Sequence, residues 1–448
     1  MGTEASQRVS TGLIACHECD LLQHDPFHRP SPASLPGKWR RDVEVLCARC
    51  GARIYRVPRA SLDSALALAL AACIVFVIAN AFPIAIMDAQ GHENGSTLLG
   101  AVRLLWQQDM GLIAALVCLT TVIVPGLELL VFSSLLLLLR LGHPLQTMRR
   151  LPRVLRLVLH TRPWSMIEVF MLGVLVSLVK LAHLASLTLG VALWAYGALM
   201  LLLAALSSMV DIRKIWAGLP LRHVPPVAEA VDVPAVQIEP TAAALGWVSC
   251  HVCGLISPRP SQGEHKDCPR CAAALHGRTP GSLTGAWALL LAAAILFLPA
   301  NLLPVMETGS LFGVQKDTLL SGVVFLWTSG SWPLALLVFV ASIVVPLFKL
   351  LAMGILLLSV QNRWPRHRHA RTRLYRLLEL IGRWSMLDIY VVTILSALVQ
   401  IQTLATITVG PGALAFGAVV VLTMLATLRF DPRLIWDAGV SETELNIA

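Results

Sequence analysis

Charge is what this sequence has least of. Only 14% of its 448 residues are Asp, Glu, Lys or Arg, against about 25% in a soluble domain. With 56% hydrophobic residues and a mean hydropathy of +0.72, that scarcity excludes an ordinary soluble globule. No G-x-x-x-x-G-K-[ST] loop is present, so the chain does not hydrolyse ATP through a P-loop. No H-E-x-x-H stretch and no Ser-His-Asp arrangement supports a membrane enzyme. The first 60 residues hold no signal-like apolar core, which places the expected N-terminus in the cytoplasm. The net charge of +9 does not point to nucleic acid. The basic residues cluster beside hydrophobic runs, where they set topology and meet lipid headgroups.

What is there is a duplication. Thr121–Leu130 reads TVIVPGLELL and Ser342–Leu351 reads SIVVPLFKLL. Thr121 answers Ser342, Pro125 answers Pro346, and Glu128 answers Lys349. Asn80 and Pro83 answer Asn301 and Pro304, WSMIE at 164–168 answers WSMLD at 384–388, and DIRKIW at 211–216 answers DPRLIW at 431–436. The expected fold is an all-α polytopic membrane protein of two parallel four-helix transmembrane repeats, each preceded by a small zinc-ribbon domain. The spans are predicted at 64–86, 110–139, 163–186 and 188–209, then 283–305, 331–360, 384–405 and 408–428. The expected domains are a first ribbon (1–60), a first membrane unit (61–216), a linker (217–246), a second ribbon (247–282), a second unit (283–436) and a tail (437–448). Stretches 88–109 and 306–330 read as outer loops. An even number of spans per unit makes the repeats parallel rather than inverted.

Six arginines and no acid lie between Arg140 and Arg162, and seven arginines between Gln361 and Arg383. By the positive-inside rule both loops, and both termini, are cytoplasmic. Leu151, Val154, Leu155 and Val158 share one face of the first loop, which predicts a helix lying on the inner leaflet.

Eight of the ten cysteines form four CxxC pairs. Cys16, Cys19, Cys47 and Cys50 precede the first unit, and Cys250, Cys253, Cys268 and Cys271 precede the second. Four thiolates in two knuckles suit one tetrahedral Zn²⁺. Iron shares this ligand set, so the residues leave the two open. A cytoplasmic setting disfavours disulfides. Cys73 and Cys118 sit alone in apolar runs and read as core packing.

Lys349 lies inside an apolar span, where a charge costs roughly 2.5–3.5 kcal/mol unless partnered. Counting along antiparallel spans at about 1.5 Å per residue brings it within reach of Asp388 on the next helix. Ser342, Ser385 and Thr423 are predicted to add hydrogen bonds around that pair. The alternative is an interhelical pair with no transport role. In the first unit the counterparts are two acids, Glu128 and Glu168. There Lys180 is the one basic residue well inside the spans, better placed for Glu128.

The paired knuckles, the N-x-x-P turns, IVPGLELL with VVPLFKLL, and WSMIEVF with WSMLDIY together resemble the paraquat-inducible protein A family (PqiA/LetA) over nearly the whole chain. That resemblance implies a multi-pass protein of the bacterial inner membrane. It implies a periplasmic MCE-domain partner of the LetB or PqiB kind, and transport of membrane lipids that maintains the envelope. It makes Ser342, Lys349, Ser385, Asp388 and Thr423 candidates for a site handling lipid or protons, and the Cys₄ sites structural. Two other readings remain: a stand-alone proton-coupled exporter of small amphiphiles, and a metal- or redox-responsive membrane sensor.

Overall fold

The computed structural model describes residues 12–25, 43–57, 61–89, 92–144, 150–182, 186–221, 241–259, 267–310, 313–330, 332–398, 400–401 and 405–437. In the first ribbon, β1 (Leu13–Ala15) pairs with β2 (Leu22–His24), and β3 (Val43–Leu46) with β4 (Arg53–Val57), both antiparallel.

The first unit starts with α1 (Leu62–Ala81), whose N-terminus is capped by Ser61. A hairpin follows, β5 (Ala85–Ala89) and β6 (His92–Ser96), then α2 (Leu98–Gln107), capped by Thr97. The long second span is α3 (Gly111–Cys118), a π turn (Leu119–Ile123) and α4 (Val124–Arg140). Next come α5 (Leu151–Thr161), α6 (Ile167–Ala182), β7 (Ser186–Leu189), α7 (Val191–Met209) and α8 (Ile212–Ala217).

The second ribbon contributes β8 (Trp247–Ser249) and β9 (Ile256–Pro258). The second unit repeats the order: α9 (Ser282–Leu302), the hairpin β10 (Met306–Ser310) and β11 (Gly313–Asp317), then α10 (Leu319–Thr328) and α11 (Trp332–Phe339). A π turn (Val340–Val344) leads into α12 (Val345–Gln361), followed by α13 (Arg368–Gly382) and α14 (Leu387–Leu398). Strands β12 (Gln400–Ile401) and β13 (Ala405–Val409) and helix α15 (Pro411–Arg429) close it.

The stretches read as outer loops are built structure. β5 pairs with β6 on one side and β7 on the other, and β10 likewise joins β11 and β13. The spans therefore stop short of their expected outer ends: α1 ends at Ala81 and α7 begins at Val191. Pro83 and Pro304 stop the first helix of each unit, and their carbonyls accept from Ala192 N (3.3 Å) and Gly412 N (2.9 Å) at the start of the fourth. Gly190 and Gly410 pass so close that a Cβ on either would overlap those carbonyls.

Among the described residues, seven helices are long and apolar enough to cross a membrane. The expected span 384–405 is represented by a 3₁₀ turn (Arg383–Met386) and the 12 residues of α14. Outward faces, such as Ile74, Val77, Ile295 and Leu298, are apolar and exposed, as lipid contact requires. α6 and α14 pack against each other and join the units. There Gly173 lets the backbone of α6 come close to Tyr390, since a Cβ would sit 2.8 Å from the Cβ of Tyr390.

The amphipathic helix forms as expected, as α5. Its apolar face does not lie bare on a leaflet. Leu151 and Leu155 are buried with Ile215, Trp216 and residues of the second ribbon, Val248 and Leu275 among them.

Candidate functional site

Each CxxC pair sits on a tight turn closed by backbone bonds, such as Cys16 N to Leu21 O (2.9 Å) and Cys268 N to Ala273 O (2.7 Å). The residue after each second cysteine has positive φ: Asp20, Gly51, Gly254 and Ala272. These turns aim the sulfurs inward. Within each cluster all four sulfurs lie within 4.8 Å of one another. The Cys16–Cys50, Cys19–Cys47, Cys250–Cys271 and Cys253–Cys268 separations are 3.5 Å. A tetrahedron of sulfurs about 2.3 Å from a central ion has edges of about 3.8 Å. Both donor sets fit one tetrahedral metal, and none of the eight thiols is in a disulfide.

Each ribbon docks on the other repeat's unit, and the first also meets its own, where Arg213 Nη2 lies 3.3 Å from Asp25 and its guanidinium over the ring of Tyr55. The first docks on the second unit: Glu18 accepts from Arg376 Nη2 at 2.6 Å and Nε at 2.8 Å, and Arg376 Nη2 also donates to Cys50 O at 2.8 Å. Arg49 stacks 4.8 Å over Trp436. The second docks on the first unit, where Arg156 Nη1 donates to Ala272 O at 3.0 Å. Arg156 and Arg376 hold the same place in the two repeats. The ribbons also touch each other, through Arg278 Nη1 to Asp20 Oδ2 at 3.1 Å.

Inside the spans the duplicated prolines explain the duplicated π turns. Pro125 and Pro346 have no N–H to give in a helix interior, and their rings crowd the preceding turn. The wider turn accommodates them. Thr121 Oγ1 and Ser342 Oγ donate to carbonyls of the turn before, Val117 O at 2.6 Å and Val338 O at 2.7 Å. The loosened Thr120 carbonyl accepts from Met166 N at 3.4 Å.

One turn beyond this point on α12, Lys349 is 2% exposed. Its Nζ donates to Ser385 Oγ at 3.4 Å. Ser342 and Thr423 are buried, and the hydroxyl of Thr423 donates to Val420 O in its own helix at 3.0 Å. Asp388 is the second residue of α14, and its side chain lies outside the described residues. Of the five predicted polar residues, the structure thus joins Lys349 to Ser385, while Ser342 and Thr423 satisfy their own helices.

The first unit is arranged differently. Glu128 is buried, and its carboxylate pairs with Arg162 Nε at 3.4 Å. In the sequence Arg162 reads as a loop arginine, but its place at the start of a 3₁₀ turn brings its guanidinium to Glu128. Lys180 ends up near the C-terminus of α6, and its side chain lies outside the described residues. Glu168 is exposed. A further contact joins the units: Tyr390 OH and Thr120 Oγ1 are hydrogen-bonded at 2.8 Å. Tyr390 stands where the first repeat has Phe170, and that one-atom difference was its only signal.

The family model described as Paraquat-inducible protein A matches residues 62–219 and 283–439, one match per membrane unit. The chain belongs to the paraquat-inducible protein A family. Within that family it is similar to the intermembrane transport protein PqiA of Escherichia coli K12, at 33% identity over 95% of both chains. It is 31% identical to the lipophilic envelope-spanning tunnel protein A of the same organism, over 95% of this chain and 91% of the relative. A probable intermembrane transport protein of Haemophilus influenzae is 28% identical over 95% of both. No solved structure matches the chain.

Proposed function

We propose that this chain is the inner-membrane component of an intermembrane lipid transport system, loading lipids into or unloading them from a periplasmic MCE-domain tunnel protein. The names of its family relatives, intermembrane transport and lipophilic envelope-spanning tunnel, support a role in transport across the envelope. The observation that carries the site is Lys349. It is a buried ammonium, set between a π turn and a neighbouring helix, and such ions usually line a pathway. Pairing it with Asp388 across α12 and α14 satisfies the ammonium in the resting state and leaves both charges available to a headgroup or a proton.

In this reading the ribbon face is cytoplasmic and the paired sheets face the periplasm. Each Cys₄ cluster holds one Zn²⁺ that supplies folding energy to a segment with little core of its own. The test is affinity purification from native bacterial membranes with mass spectrometry of what remains bound. An MCE-domain protein and phospholipid are the expected companions. Recovery of the chain without either favours the stand-alone exporter.

A further inference from the structure

On the ribbon side, the two units leave a cleft of about 370 Å³ between them. Arg162 and Leu159 line it from the first unit, Glu379 from α13, Met424 and Leu428 from α15, and Arg53 from the first ribbon. It is therefore bounded by both membrane units and a ribbon at once. Its size falls in the range of small-molecule sites, about 300–1,000 Å³.

The lining is amphipathic. Leu159, Met424 and Leu428 form an apolar wall continuous with the ends of the spans. Arg53, Arg162 and Glu379 bring charges of both signs. Each guanidinium already meets one carboxylate: Arg53 Nη1 lies 3.5 Å from Glu44, and Arg162 Nε 3.4 Å from Glu128. A guanidinium carries five donors, so a single contact does not exhaust it. The charged lining thus offers guanidinium donors and one carboxylate together. A headgroup with a phosphodiester and a primary ammonium matches both, whereas one with a phosphodiester alone leaves Glu379 unmatched.

We infer that this cleft binds the headgroup of an aminophospholipid from the surrounding leaflet, its phosphodiester between Arg53 and Arg162 and its ammonium at Glu379. The acyl chains lie along Met424 and Leu428. The bound lipid bridges the two units on the ribbon side, in a cleft whose lining does not include Lys349, and the inference does not depend on what the spans transport.

The experiment uses the full chain in mild detergent. The protein is incubated with mixed micelles holding equal amounts of phosphatidylethanolamine, phosphatidylglycerol and phosphatidylcholine, washed, and its retained lipid quantified by mass spectrometry. The wild type is expected to enrich phosphatidylethanolamine over both others. Arg53→Gln should lower that retention by about three- to tenfold, the weight of a charge-assisted hydrogen bond at a half-open site. Glu379→Gln should abolish the preference over phosphatidylcholine, whose quaternary ammonium donates no hydrogen bond. Both residues are exposed and on different elements, so a melting curve for each variant controls for folding. Equal retention of the three lipids, or unchanged retention in both variants, overturns the inference. Competition by soluble phosphorylethanolamine as effective as by the lipid also overturns it, because the site would then take a free phosphate ester.

Discussion

The ammonium of Lys349 on α12 lies 3.4 Å from the hydroxyl of Ser385, at the turn that opens α14. Ser385→Ala removes this acceptor from a buried charge, at a cost of about 1.5–3 kcal/mol. Lys349→Ala and Asp388→Ala should each abolish complementation of a deletion strain under detergent stress, with protein level measured in parallel. The apolar double Lys349→Met, Asp388→Leu should restore abundance, since matched apolar groups replace a buried pair at little cost. It should not restore protection. Full complementation by that double would make the pair a structural tie and end its assignment to the pathway.

Exchange of the ribbons makes a prediction across the chain. Glu18→Ala or Arg376→Ala should loosen the second unit, although Glu18 belongs to the first ribbon. Each is expected to cost about 1–3 kcal/mol, because the bond is bidentate and Glu18 is nearly enclosed. Arg376→Lys should not rescue, lacking the planar fork. The measurement is limited proteolysis in the loop before α13, with the double variant completing the cycle. Cleavage confined to the first unit would contradict this docking.

Metal content supplies a third prediction. Elemental analysis of purified protein should give two Zn²⁺ per chain. Cys268→Ser should lower abundance more than it alters the activity of the molecules that remain, because a structural site contributes to folding. Iron in place of zinc, or no metal, would refute the assignment.

Gly190→Ala and Gly410→Ala should each destabilise by about 1–3 kcal/mol or more, since the new methyl meets backbone rather than a flexible side chain. Gly322→Ala serves as the control. A Cβ there meets nothing within 4 Å, and in a helix Ala is favoured over Gly. Thermal unfolding in detergent separates the two cases. Equal melting temperatures for Gly190→Ala and Gly322→Ala would show that the Pro83 contact is not needed.

Much of this architecture was legible. The CxxC spacing marked both clusters, and the repeated prolines marked the π turns without revealing their geometry. The N-x-x-P motif was visible as a repeat, but its role was not: Pro83 receives the start of α7 more than a hundred residues later. The outer strands escaped notice for the same reason. β5 finds β7 only after two spans have been placed, and neither is long enough to show an alternating pattern. Counting turns brings Lys180 toward Glu128, but only the fold shows that a 3₁₀ turn carries Arg162 to it. Pairings set by tertiary approach leave little trace in local sequence.

Exchange of the ribbons also imposes an order on synthesis. The first ribbon is made before both membrane units, yet Glu18 and Arg376 are 358 residues apart. At about 5–20 residues per second, roughly 20–70 s separate their emergence from the ribosome. For that interval Glu18 lacks its partner, and the first ribbon has its contact with Arg213 of α8, which lies against Asp25 and Tyr55, while further apolar segments enter the bilayer behind it. The second ribbon meets no such delay, since α5 and α8 are already in place when it appears. Early metal capture is thus expected to matter most for the N-terminal cysteines, whose domain is completed first and seated last.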